Sequence, residues 1–194
     1  MLESIKLLAV ILVALASFGV LLTKDWRVTI LSLAIQFSGV FLLIAPVWPL
    51  AMAITILIAG WLAGVILGMS VISLPRQTAS TRRLNPFFNL LAALLIYLTV
   101  LSLAPQLQKL LALTAPEQSL AGLTLIGLSL LRLALDPHPL TTSAALLALL
   151  AGFTVIFASL TATQFAAGAL AMVILCVALA GSYLLLAPQM EESA

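Results

Sequence analysis

The sequence predicts an all-α integral membrane protein of about seven transmembrane helices, and three observations predict it. Hydrophobic residues make up 64% of the 194 residues and charged residues only 7%, and mean hydropathy is +1.30, far above what a solvated globular surface allows. Apolar runs of about 20 residues recur, the length an α-helix needs to cross a hydrocarbon core. No run alternates polar and apolar residues with the period of two that a membrane barrel requires.

Taken in order, the runs place spans near 5–22, 28–47, 50–74, 87–104, 118–135, 140–161 and 165–187. The first contains "VALAS" (13–17), a small-x-small pattern like a signal-peptidase site. Its leader "MLESIK" carries no net positive charge and the apolar run continues to Leu22, so an uncleaved first helix is expected. "TKDWR" supplies a charged turn before the second span, and "APVWP" sets two prolines around a tryptophan suited to the membrane interface. "PRQTASTRRLNP" is the longest polar stretch; Asn85-Pro86 at its end predicts an N-cap and first helical residue for the fourth span. "QLQKLLAL" (106–113) is expected to form a short interfacial helix. Thr114 and Glu117 then have capping-box spacing before the fifth span. The single cysteine, Cys176, lies in an apolar run, so no disulfide forms within the chain.

Basic residues give the orientation. Lys24, Arg27, Arg76, Arg82, Arg83 and Arg132 all fall on one side of the seven spans, and only Lys6 and Lys109 on the other. By the positive-inside rule the N-terminus is outside, the C-terminal "MEESA" is cytoplasmic, and the expected location is the cell's inner, cytoplasmic membrane. The net charge of +2 belongs to these short loops and does not describe a nucleic-acid surface.

An internal repeat is expected as well. A shift of 113 residues lays "TILSLAIQFSGVFLLI" (29–44) over "TSAALLALLAGFTVIF" (142–157), matching Thr29 with Thr142 and Gly39 with Gly152, and brings "TKDWR" over "LDPHPL". Because span four separates the triplets, both share one orientation and form parallel rather than inverted repeats. The chain then divides into a first three-helix unit (1–74), a basic loop, linker helix and external loop (75–117), and a second three-helix unit with a short tail (118–194).

Gln36 in "LAIQFSG" puts a polar residue midway along the second span, three positions before a glycine, and the third span "AITILIAGWLAG" is rich in small residues. This pattern resembles the K-type subunit of respiratory complex I and the C-type subunit of Mrp antiporters; doubled about a linker helix, it is similar to the E-type membrane subunit of group 4 hydrogenases. In the K-type family, mid-membrane glutamates on the second and third helices take part in proton translocation. The matching positions here are Gln36 and Gly60, so both carboxylates are missing. The resemblance implies a non-catalytic membrane-arm subunit packed beside antiporter-type subunits and lipid. The alternatives are a free-standing small transporter or channel, and an unrelated membrane scaffold such as an assembly factor.

Four groups of residues carry the candidate sites. Gln36 is expected to hydrogen-bond across a helix interface, or to order water in a half-channel without holding a proton. Gly60, Gly64 and Gly68 form a doubled small-xxx-small face that predicts a close helix contact, with the partner in this chain or in another subunit. Arg132 and Asp136 are spaced for an i,i+4 pair, and His138 lies between prolines at the cytoplasmic boundary, an interfacial cap or a proton-entry or headgroup site. Arg76, Arg82 and Arg83 read as topology determinants that can also hold anionic lipid headgroups. Catalysis finds no support: the one histidine is interfacial, the spans carry no obvious acid, and no phosphate loop, metal-ligand spacing or haem-ligating histidine pair is present. The last span has no lysine for retinal, and no cofactor is expected.

Overall fold

A computed structural model describes residues 2–22, 25–72, 86–110, 116–136 and 138–192. Seven α-helices account for nearly all of them: α1 (Leu2–Leu22), α2 (Trp26–Ile44), α3 (Leu50–Ile72), α4 (Pro86–Leu110), α5 (Pro116–Leu135), α6 (Pro139–Leu160) and α7 (Gln164–Glu192). The chain is an all-α membrane protein; six of the helices, α2 to α7, are long and apolar enough to span a bilayer, and α1 adds an apolar stretch over Leu8–Phe18. Proline opens α4, α5 and α6, where its missing N–H costs no helical hydrogen bond and its fixed φ suits the first turn. Asn85, Thr114, Arg76, Arg82 and Arg83 lie outside the described residues.

Two expected boundaries change. Residues 106–110 do not start a separate interfacial helix; α4 runs on through Pro105 to Leu110. A proline inside a membrane helix frees one carbonyl but does not end the helix where the rest of the ladder holds it. Trp48 turns inward rather than toward lipid: it is buried, and its indole N–H donates to Ala158 O at 3.1 Å and Thr161 O at 2.9 Å, at the end of α6.

The helices form two rows. α2 packs between α1 and α3, and α6 between α5 and α7, while the rows meet as α1 on α5, α2 on α6 and α3 on α7. α4 lies at one end of this ladder against α5 and, more lightly, α1, where Phe18 meets Tyr97 edge to face. Exchanging α1–α3 for α5–α7 leaves the pattern of neighbours unchanged.

The glycines repeat with the same shift. A side-chain carbon built on Gly39 of α2 would meet Ala9, Leu12 and Val13 of α1. One built on Gly152 of α6 would meet Gly122, Leu125 and Ile126 of α5, each 113 residues further on. Likewise Gly68 of α3 faces Ile30 of α2, and Gly181 of α7 faces Ser143 of α6, again 113 residues on in both members. Each glycine lets one backbone approach the neighbouring helix, and the approach is the same in both rows.

The rows meet head to tail. Met52, Ile56, Ala59, Ala63 and Leu67 of α3 are buried, yet their counterparts in α7, Phe165, Ala169, Met172, Cys176 and Ala180, are exposed. The reverse holds on the opposite face: Ala167, Ala171, Ile174, Ala178 and Leu185 of α7 are buried, while Ile54, Ile58, Trp61, Val65 and Ile72 of α3 are exposed. α2 and α6 agree, since buried Leu33 and Val40 correspond to exposed Leu146 and Phe153. Two rows related by a two-fold axis would bury the same face twice; these bury opposite faces, as in a heterologous contact.

Candidate functional site

One group of interior polar side chains, Ser17, Thr29, Ser32, Gln36 and Ser129, gathers where α1, α2 and α5 meet. Gln36 is 4% exposed, and its Nε2 donates to Ser17 Oγ at 3.0 Å. Ser17 in turn donates to Val13 O at 2.8 Å, and Ser32 reaches across to Ala16 O at 2.7 Å. The expected cross-helix role of Gln36 is therefore realised, with a serine of the first helix as its partner. Such a bond is worth on the order of 0.6 to 2 kcal/mol between membrane helices.

Arg132 comes to the same place from the other row. Its Nη2 donates to Thr29 Oγ1 at 3.0 Å, about two turns along α2 from Gln36. Ser17, Gln36, Leu125, Leu128, Ser129, Arg132, Ala145 and Ala148 line a cavity offering about 10 Å³ to the centre of a water molecule. That is the room one water needs, and the amide, two hydroxyls and guanidinium are the kind of partners that hold one. Past Gln36 the interior is mostly apolar: Phe37, Val40, Leu43, Leu125, Leu147, Ala151 and Val155 are all at most 2% exposed and belong to one cluster, and the buried hydroxyls of Thr124 and Thr154 bond carbonyls of their own helices.

The predicted Arg132 and Asp136 pair takes a different form. α5 ends at Leu135, so the Asp136 carboxylate turns away and accepts from His138 N at 3.2 Å and Thr141 Oγ1 at 3.1 Å, tying down the start of α6. Asp136 still acts on Arg132 as a nearby countercharge. His138 is the N-cap of α6, with extended backbone (φ −64°, ψ 133°) and Nδ1 accepting from Leu140 N at 3.3 Å.

At the opposite end the two rows cap each other. Gln118, 2% exposed on the first turn of α5, donates through Nε2 to Leu43 O at 2.9 Å, one of the carbonyls that the end of α2 leaves without a helical partner. Its Oε1 is buried with no partner. Trp48, just past α2, caps the last carbonyls of α6 in return. Sequence reasoning passed over Ser17, Ser32, Ser129, Thr29 as an arginine acceptor, Gln118 and the inward turn of Trp48.

The glycine face finds its partner inside the chain. A carbon on Gly60 would enter the ring of Phe37; Gly64 has Ile30 Cγ2 at 3.8 Å and Gly68 has Ile30 Cδ1 at 3.2 Å. All three point at α2, so the doubled small-xxx-small motif closes the first row. Among the described residues no three His, Cys, Asp or Glu side chains gather to hold a metal. The chain matches no family model, no curated protein and no solved structure.

Proposed function

We propose that this chain is a non-catalytic membrane subunit of an ion-translocating assembly of the complex I, group 4 hydrogenase or Mrp kind, packed beside antiporter-type subunits and providing no ion path of its own. The observation that supports it most is the polar group running from Arg132 to Gln36, past which the interior is mostly apolar and the buried hydroxyls of Thr124 and Thr154 are spent on their own helices. A permanent guanidinium at the mouth repels protons and other cations, and an amide at the inner end cannot titrate. The acidic residues, Glu3, Asp25, Glu117, Asp136, Glu191 and Glu192, all stand at helix ends or turns, away from the middle of this group.

In this reading the cytoplasmic side is the Arg132 end, the N-terminus lies outside, and the membrane is the inner, cytoplasmic one. Purification from the native membrane in mild detergent, followed by identification of the attached proteins, tests the proposal. Large antiporter-like subunits in stoichiometric amount support it. A homogeneous homo-oligomer refutes it and favours a free-standing transporter.

A further inference from the structure

Arg132 stands half-buried in the last turn of α5, with no carboxylate in ion-pair contact among the described residues. Asp136 acts on it only from a distance, because the two Asp136 oxygens accept from His138 N and Thr141 Oγ1. The guanidinium has five N–H groups, and its one bond within the chain runs from Nη2 to Thr29 Oγ1. A cation held in a membrane span without a partner is costly, so its remaining donors call for a negative charge.

The cavity beside Arg132 is suited to supply that charge. Gln36, 4% exposed, spends one amide N–H on Ser17 and keeps a second. Ser17 and Ser129 also line the space, and their hydroxyls, now donating to Val13 O and Ile126 O, are free to turn. The remaining walls are leucines of α5 and alanines of α6, and no acidic side chain lines the space to repel an anion.

The geometry points to a binding site for one small monovalent anion of the size of chloride, held between the Arg132 guanidinium and the Gln36 amide. The cavity has room for a single water, and chloride exceeds water by only a few tenths of an ångström in radius. A water in the same place would engage the N–H groups but leave the charge uncompensated. Sulfate and phosphate groups are too wide to enter, which separates this site from a headgroup contact at the membrane boundary. Past Gln36 the interior is mostly apolar, so the anion is a bound counterion without an onward route. Such a counterion does not require that the chain be a subunit of anything.

The test follows unfolding of the purified full-length chain in mixed detergent and SDS micelles, with gluconate replacing chloride at constant ionic strength. A ligand bound only by the folded state should lower the unfolding equilibrium constant tenfold for each tenfold rise in chloride above its dissociation constant. Bromide should act like chloride, and sulfate should have no such effect. Arg132→Gln should abolish the dependence, whereas Arg27→Gln, which removes the same charge from an exposed side chain, should preserve it. Gln36→Glu is the sharper variant: it supplies the negative charge covalently, so the dependence should vanish while the chloride-free protein folds at least as stably as wild type. Chlorine NMR gives a second reading that needs no variant, since wild-type protein should broaden the chloride line and added bromide should narrow it again. A wild type indifferent to chloride, or an equal dependence in Arg132→Gln, overturns the site. Stabilisation by phosphatidylglycerol but not by chloride, lost in Arg132→Gln, overturns the small ion in favour of a lipid phosphate.

Discussion

Gly152→Ala tests the packing that holds the second row together. The added methyl carbon would lie 2.7 Å from Gly122 O, 2.8 Å from Leu125 Cβ and 3.0 Å from Ile126 Cγ1. Non-bonded contacts relax at about 3.5 Å, so α5 and α6 must part by roughly 0.7 Å along this line. The two closest obstacles are a backbone oxygen and a Cβ, neither of which can swing aside as a side-chain tip would. Overpacking of this kind costs ~1–3 kcal/mol, of which alanine's better helix propensity returns at most ~1 kcal/mol. The expected net loss is about 1–2 kcal/mol, a five- to thirtyfold change in the folded fraction. Gly168→Ala is the control, because nothing lies within 4 Å of its added carbon. Equilibrium unfolding in mixed detergent and SDS micelles, followed by far-UV circular dichroism, measures both. Equal stability of Gly152→Ala and the wild type, or an equal loss in both variants, refutes the claim that this glycine is a contact point between helices.

Other expectations follow from the polar contacts. Gln36→Leu removes the bond to Ser17 and should lower stability by about 1 kcal/mol in the same assay. Trp48→Phe leaves Ala158 O and Thr161 O without their donor and should cost ~1 kcal/mol or more, with faster hydrogen exchange at the end of α6. Compartment reporters fused after Ala194 and within 114–118 should report cytoplasm and exterior; the same compartment for both would remove the assigned orientation.

The helices were legible in the sequence because a bilayer demands about 20 apolar residues per crossing, and because charged turns and N-terminal prolines punctuate the runs. The repeat was legible through Thr29, Thr142, Gly39 and Gly152. Which way the rows face was not, since α3 and α7 are apolar all round and only burial separates Ile58 from Ala171. Gln36 stood out as an amide among aliphatics, but its partner did not. Ser17 resembles any helical serine, and many of these, such as Ser38 and Ser70, simply bond the carbonyl four residues back. Arg132 and Asp136 had the spacing of an ion pair, but α5 ends one residue short of Asp136 and Thr29, 103 positions away, takes the guanidinium instead.

Proton flux through the isolated chain tests most directly whether it lacks an ion path. The purified protein is reconstituted into vesicles loaded with a pH-sensitive dye, a proton gradient is imposed with potassium and valinomycin to clamp the potential, and decay of the gradient is followed. The packed side chains beyond Gln36 predict decay no faster than in protein-free vesicles, and no change with Gln36→Leu. Decay that rises with the amount of protein and falls on Gln36→Leu would contradict the account and make the amide part of a working water chain.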